Sequence, residues 1–308
     1  MKLFSSAFLP RIACLLLLAT AAAHAASYQY FRLGNKEDIQ THPAAGTAMM
    51  GGGTDLDEAF RWLCNKGNGG DFLVLRAAAE DPAVADIIKK AEVIFISGGD
   101  QGHYIRAWKD TPVEAAINAH VAARKPIGGT SAGLAVQGEF VYGALGDKPD
   151  DNDLASTDVL PNPYFDRVTL VRGFLKIPGL ENLLTDSHFA KRDRMGRTLG
   201  FLARIMQDGW SSSPREVAID EKSAVLLEPN GRGTVVGNGR GAYFLKPTRK
   251  PDVCKKDQPL TFRNIKVYRA PTGATFDYTR WKGKGGTAYE LSVVNGKIQS
   301  TQPDGSIY

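Results

Sequence analysis

The sequence predicts an α/β fold, a mostly parallel sheet flanked by helices, with a β-rich C-terminal elaboration. Two patterns predict it. From Thr47 to about Arg240, short apolar runs alternate with stretches of helical periodicity, as strands do when helices carry the crossovers. From Pro259 onward the pattern becomes strands separated by turns.

The elements follow in order. Residues 47–50 form a strand ending in Gly51-Gly52-Gly53, after which Leu56, Ala59, Phe60 and Leu63 recur at helical spacing. Residues 71–75 read as a buried strand and 84–90 as a short helix with Pro82 near its start. Residues 92–97 make a second strong strand, stopped by Gly98-Gly99, and 112–124 an amphipathic helix. Residues 147–158 are acidic and polar, a loop by composition. Residues 216–218, 224–227 and 234–237 read as strands joined by tight turns, Pro229-Asn230-Gly231 among them. The tail adds strands at 262–268 and 288–294 and the turn Asn295-Gly296.

The N-terminus is expected to lie outside this fold. Lys2 and Arg11 flank an apolar run, 12–23, and Ala23-His24-Ala25 supplies the small residues of a cleavage site. That is the layout of a secretory signal peptide, and the run is short for a bilayer span. The expected organisation is therefore a signal peptide at 1–25, an α/β hydrolytic domain at 26–250 and a β-rich extension of the same domain at 251–308. A secreted or periplasmic location follows, with no stable membrane anchor. Cys14 leaves with the signal, so Cys64 and Cys254 can pair in an oxidising compartment if their backbones lie close enough.

The formal charge of +5 falls to about +3 without Lys2 and Arg11. No basic helix interleaved with aromatics accompanies it, which excludes a nucleic-acid partner as the expectation. The glycine triplet at 51–53 lacks a following Walker Lys-Ser/Thr, and no dinucleotide fingerprint occurs, so neither nucleotide nor metal is expected as a cofactor. Asp147, Asp150, Asp151 and Asp153 lack the spacing of a calcium loop and read as solvated.

The chemistry concentrates at Gly129-Thr130-Ser131-Ala132-Gly133, which follows a short apolar strand and precedes a helix-forming run. Strand, sharp turn and helix are the context in which G-x-S-x-G presents a nucleophilic serine. The helix N-terminus behind it offers free N–H groups to a developing oxyanion. A serine nucleophile needs a base. His42 reads as a surface residue and His120 as part of the amphipathic helix, leaving His103 and His188 as the ranked candidates, unseparated by composition.

Taken together, Gly98-Gly99-Asp100-Gln101, Gly129-Thr130-Ser131-Ala132-Gly133 and Asp186-x-His188-Phe189 with Arg192, Arg194 and Arg197 resemble the cyanophycinases. Those belong to a serine peptidase family that also contains the aspartyl dipeptidases. The resemblance runs from about residue 47 to 240. It implies a flavodoxin-like, class I glutamine amidotransferase-like fold, with Ser131 as nucleophile, His188 as base and Glu221 as its orienting carboxylate. It implies an oxyanion hole from the N–H groups of Gly99 and Ala132. It puts Gln101, Asp186, Arg192, Arg194 and Arg197 on substrate-pocket positions. Arginines there would grip a free carboxylate of an aspartyl unit. The implied activity is exopeptidase cleavage of cyanophycin, a β-aspartyl-arginine polymer, to β-Asp-Arg dipeptides. A peptide or polymer substrate is the expected partner, and a homodimer stays open.

Two features depart from the family pattern. Cyanophycinases carry Gln before the histidine where this chain has Ser187, a position expected in the pocket, and Trp210-Ser211-Ser212-Ser213-Pro214 reads as a loop insertion. Another aspartyl or isoaspartyl peptide is therefore an alternative substrate. A non-catalytic binding protein on the same fold is the alternative of a different class.

Overall fold

Four short apolar strands organise the first half of the chain in the computed structural model, which describes residues 28–76, 81–146 and 153–308. The expected signal peptide and Asp147, Asp150 and Asp151 lie outside the described residues. The elements are β1 (Thr47–Met50), α1 (Asp57–Gly67), β2 (Phe72–Leu75), α2 (Pro82–Lys90), β3 (Val93–Ile96), α3 (Gln101–Trp108), α4 (Pro112–Ala122) and β4 (Ile127–Thr130). The strands pair in parallel in the order β1-β4-β3-β2, and helices make each crossover. β1 and β3 are buried along their whole lengths, as continuous apolar runs covered on both faces should be. β2 is the edge strand, and its Val74 is exposed, so the expectation of a wholly buried strand fails at that side chain. The proline starts behave as sequence rules dictate. Asp81 accepts from the Ala83 N–H ahead of Pro82, and Thr111 accepts from Val113 ahead of Pro112.

The second half runs α5 (Ala132–Ala135), β5 (Phe140–Tyr142), α6 (Ser156–Val159), β6 (Leu170–Arg172), β7 (Leu183–Asp186), α7 (Met195–Gln207) and β8 (Arg215–Ile219). It continues with β9 (Ser223–Leu227), β10 (Arg232–Gly237), β11 (Ala242–Pro247), β12 (Phe262–Ala270), β13 (Thr275–Asp277), β14 (Lys282–Lys284), β15 (Thr287–Val294) and β16 (Lys297–Ser300). One sheet has the order β14-β13-β10-β9-β1-β4-β3-β2 and the other β16-β15-β12-β11-β8-β7-β5-β6.

Both sheets are mixed, which corrects the expectation of a mostly parallel one. Parallel pairing is confined to the β1-β4-β3-β2 block and to β5-β7-β8. The reason is connection length. Parallel neighbours need a crossover of a dozen or more residues, whereas β9 and β10 are joined by a tight turn and β15 and β16 by Asn295-Gly296 alone. The tail is also more than an appendage: β13 and β14 extend the first sheet, while β12, β15 and β16 extend the second. Phe244 of β11 stacks on Phe276 of β13 with ring centroids 3.7 Å apart, tying the two sheets together.

Part of the acidic segment expected as loop is the helical turn α6, where the Asp158 carboxylate accepts the Ala155 N–H at 2.7 Å. Helix α7 buries Met195, Leu199, Leu202 and Met206 against the second sheet. Its first turn is fastened by Tyr308, whose hydroxyl accepts the Met195 N–H at 2.9 Å and donates to Asp193 at 3.0 Å. Cys64 and Cys254 are both free, one exposed and one buried. Among the described residues no helix is long and apolar enough to cross a membrane.

The strand ends converge. The turns after β1, β4, β7 and β8 are cross-linked by backbone hydrogen bonds: Ser131 N–H to Met50 O, His188 N–H to Gly51 O and Lys222 N–H to Gly52 O. These are the carboxyl ends of parallel strands, where α/β proteins place their ligand crevices.

Candidate active site

Ser131 stands between β4 and α5 with φ 53° and ψ −115°. A non-glycine residue in that region carries strain of roughly 1–3 kcal/mol, held here by the Ser131 N–H bond to Met50 and by the α5 N–H groups that return to the Ser131 carbonyl. The turn projects the hydroxyl, which lies 2.7 Å from His188 Nε2. His188 Nδ1 in turn lies 2.7 Å from Glu221 Oε1. A carboxylate can only accept, so Nδ1–H donates to Glu221, and Nε2 is left to accept the Ser131 hydroxyl proton.

The electrostatics suit a base. Burial pushes the His188 imidazole below its ordinary value, and the positive charges of Arg192 and Arg194 push the same way, against the hydrogen bond that Nδ1–H gives to Glu221. His188 is therefore neutral at neutral pH and able to take a proton. Glu221 is held below the usual carboxylate range, first by its hydrogen bond with His188.

The glycine triplet, which sequence patterns dismissed as a failed phosphate loop, wraps this pair. Gly52 has φ 96°, and a Cβ built on it would stand 2.5 Å from His188 Nε2. Only glycine lets the backbone lie flat under the imidazole. A run of three glycines directly after a strand was the available signal; what it approaches was not readable.

Of the other candidates, Gly98 lies against Ser131, with a Cβ there reaching 3.4 Å from Ser131 Cβ, so Gly99 follows immediately beside the site. Ala132 is the first residue of α5, where the N–H has no intrahelical acceptor. Gln101 opens α3 three residues after Gly98 and is partly exposed. His103 is exposed on α3, His42 is exposed near the N-terminus, and buried His120 contacts the Pro126 carbonyl through Nε2 at 2.9 Å.

The charged residues expected in the pocket are arranged differently. Arg197 is 2% exposed and is spent on Asp186, Nε to Oδ2 at 2.9 Å and Nη2 to Oδ1 at 2.5 Å, with Nη1 on the Leu154 carbonyl. Arg194 is 7% exposed, donating from Nη1 to the Ser187 carbonyl at 2.8 Å and pairing through Nη2 with Asp153. Arg192 alone of the three is open, its side chain 44% exposed, and it too touches Asp153 at 2.9 Å. Asp186, Arg194 and Arg197 thus sit beneath the site instead of lining it, because a buried charge must be paired. Asp153, expected to be solvated, is the shared partner of the three arginines. Ser187 is buried as well.

One buried acid was missed altogether. Glu216 on β8 is fully buried, accepts the Thr198 hydroxyl at 2.9 Å, and is pushed well above the carboxylate range by burial and by the nearby Asp186 charge. Asp186 stays ionised: burial disfavours its charge, but Arg197 and Arg194 outweigh that. Among the described residues no group of three His, Cys, Asp or Glu side chains is placed to hold a metal ion.

With this geometry in hand, the chain can be set beside known proteins. Residues 65–160 match peptidase family S51. The chain resembles the S51 peptidases. A cyanophycinase of Trichormus variabilis is 27% identical over 208 residues, spanning 65% of this chain and 62% of its own length. A cyanophycinase of Synechococcus elongatus is 30% identical over 210 residues, spanning 66% and 58%. The chain therefore spans about three-fifths of the length of these relatives. The crystal structure of a peptidase from an acI-B1 Actinobacterium covers 85% of this chain and 98% of its own, with TM-score 0.47 and 16% identity, a likeness too slight to carry weight. The S51 resemblance is to serine-type peptidases, and the matched segment contains Ser131.

Proposed function

We propose that the protein is an exported serine-type exopeptidase that hydrolyses β-linked aspartyl peptides, with cyanophycin as its substrate and β-Asp-Arg as its product. The observation that carries the chemistry is the continuous hydrogen-bonded chain Ser131–His188–Glu221, 2.7 Å at each link. The cyanophycinase relatives support the substrate class.

In this reading Ser131 Oγ attacks the scissile carbonyl while His188 Nε2 takes its proton. The N–H groups of Gly99 and Ala132 receive the oxyanion, and His188 returns the proton to the leaving amine. Water, activated by the same imidazole, then releases the acyl group. Glu221 fixes the tautomer and stabilises the imidazolium. The turn-mounted serine behind a parallel block also supports the class I glutamine amidotransferase-like fold assignment. Gln101 and Arg192, the two open candidates beside the site, are the side chains assigned to substrate.

A second substrate reading, another acidic or isoaspartyl peptide, is favoured by one observation: Arg194 and Arg197 are already committed to protein carboxylates. The deciding test is release of β-Asp-Arg from purified cyanophycin by residues 26–308, with Ser131→Ala and His188→Ala beside it. Release lost in both variants supports the proposal. An intact polymer together with covalent capture of Ser131 by a fluorophosphonate keeps the chemistry and moves the substrate to isoaspartyl dipeptides. No capture at Ser131 sinks the serine mechanism.

A further inference from the structure

We propose that Arg194 is a positioning residue for His188, acting through the Ser187 peptide, and not a ligand for the substrate carboxylate. The inference rests on the Ser131–His188–Glu221 reading and adds to it what keeps the imidazole in place.

Strand β7 ends at Asp186, and within two residues the chain must turn so that the imidazole faces Ser131. His188 accordingly has φ 47°. A left-handed residue with a side chain costs roughly 1–2 kcal/mol and persists only where its surroundings over-determine it. Here the turn is fixed at three points. The Ser187 N–H donates to Asp186 Oδ1 at 2.7 Å, the His188 N–H donates to the Gly51 carbonyl at 2.7 Å, and the Ser187 carbonyl accepts from Arg194 Nη1 at 2.8 Å.

The second and third of these bonds come from opposite sides of a single peptide unit, the one that joins Ser187 to His188, and the first fixes the unit before it. Asp186 is itself clamped by Arg197 through two parallel bonds, so its oxygen cannot swing away from the Ser187 N–H. The Gly51 carbonyl holds the N–H side of the Ser187–His188 unit and Arg194 closes its carbonyl side, the guanidinium itself tethered by Asp153. A charged donor on a buried carbonyl is worth more than a neutral one. The guanidinium is not free to do otherwise: Nη1 and Nη2 are occupied, and Nε is buried from solvent. A substrate carboxylate would have to displace Asp153 and break the Ser187 bond to reach it.

The test must separate holding the histidine from holding the substrate. A small neutral fluorophosphonate does so, because it carries no carboxylate. Ser131 Oγ bonds to phosphorus, fluoride leaves, and the hydroxyl proton goes to His188. Capture rates are measured against pH for wild type, Arg194→Met and Arg194→Lys, with thermal melts for each. The expected result is a plateau rate, above the His188 titration, lowered roughly ten- to hundredfold in Arg194→Met, with Arg194→Lys in between. A loss confined to low pH would mean that Arg194 acts only by charge and would overturn the proposal. So would a wild-type plateau in folded Arg194→Met with only the peptide KM raised. If Arg194→Met does not fold, a wild-type plateau in Arg194→Lys, which lacks the two-pronged head, overturns it. A wild type that is itself not captured at Ser131 fails the serine reading, a distinct outcome.

Discussion

Gly52 lies flat beneath the imidazole of His188, so close that a Cβ there would meet the ring at 2.5 Å from Nε2. The contact makes the turn after β1 one wall of the seat of this imidazole, with the Gly51 carbonyl holding the His188 N–H from the same loop.

Gly52→Ala should therefore injure the site out of proportion to its size. The new methyl must push the ring off Ser131, and φ 96° adds strain of about 1 kcal/mol. Fluorophosphonate capture of Ser131 should fall by roughly 10²-fold while the variant still melts cooperatively. Capture at the wild-type rate would show that the imidazole does not depend on this wall.

Glu221→Gln separates geometry from titration. The Glu221 hydrogen bond raises the His188 pKa against burial and the two arginines, so its removal must lower that pKa further. The acid limb of the pH–rate profile, already centred below the ordinary histidine value of 6.5, should move to lower pH. The plateau should drop by roughly 10²–10⁴-fold because the tautomer is no longer fixed. An acid limb moving upward in pH would contradict the assignment.

Glu216→Gln should reveal a carboxyl that is carried protonated. Its folded pKa is raised well above its ordinary value, so its contribution to stability is present at low pH and is lost as pH rises toward the folded value. Glutamine has no proton to lose. The variant's Tm relative to wild type should therefore increase between pH 4 and pH 8, by at least about 2 °C. A difference independent of pH would place Glu216 in water.

The two thiols should react very differently. Cys64 is exposed, whereas Cys254 is buried and its thiol is pushed up to about 12. In residues 26–308, a disulfide-exchange reagent should modify Cys64 in the folded protein and Cys254 only after denaturation. Prompt reaction of both would mean that the region around Cys254 opens readily.

What could be read from the sequence was what is local. The strand, turn and helix around Ser131 are contiguous, so the composition of residues 127–135 was enough to see them. The proline-started helices were legible for the same reason. The sheet directions were not: a tight turn after Leu227 says that β10 returns beside β9, but nothing local says that β1 lies on the other side. The burial of Arg194 and Arg197 was not legible because burial of a charge is decided by its partner, and the partner of Arg197 is Asp186, eleven positions earlier on another element. Composition alone left His103 and His188 unseparated, because which ring reaches Ser131 depends on which strand end each follows in space.

The arrangement of the tail has a consequence for how the protein comes into being. Every group of the hydrogen-bonded relay has been synthesised once Glu221 leaves the ribosome, yet β10 and β11, which follow directly, show bare edges until β13 and β12 arrive to cover them. A nascent chain halted after β11 and before β12 carries two open strand borders at once, the kind of surface on which other chains nucleate. The vulnerable interval in the life of this molecule thus falls after its chemistry is encoded and before its last strands arrive.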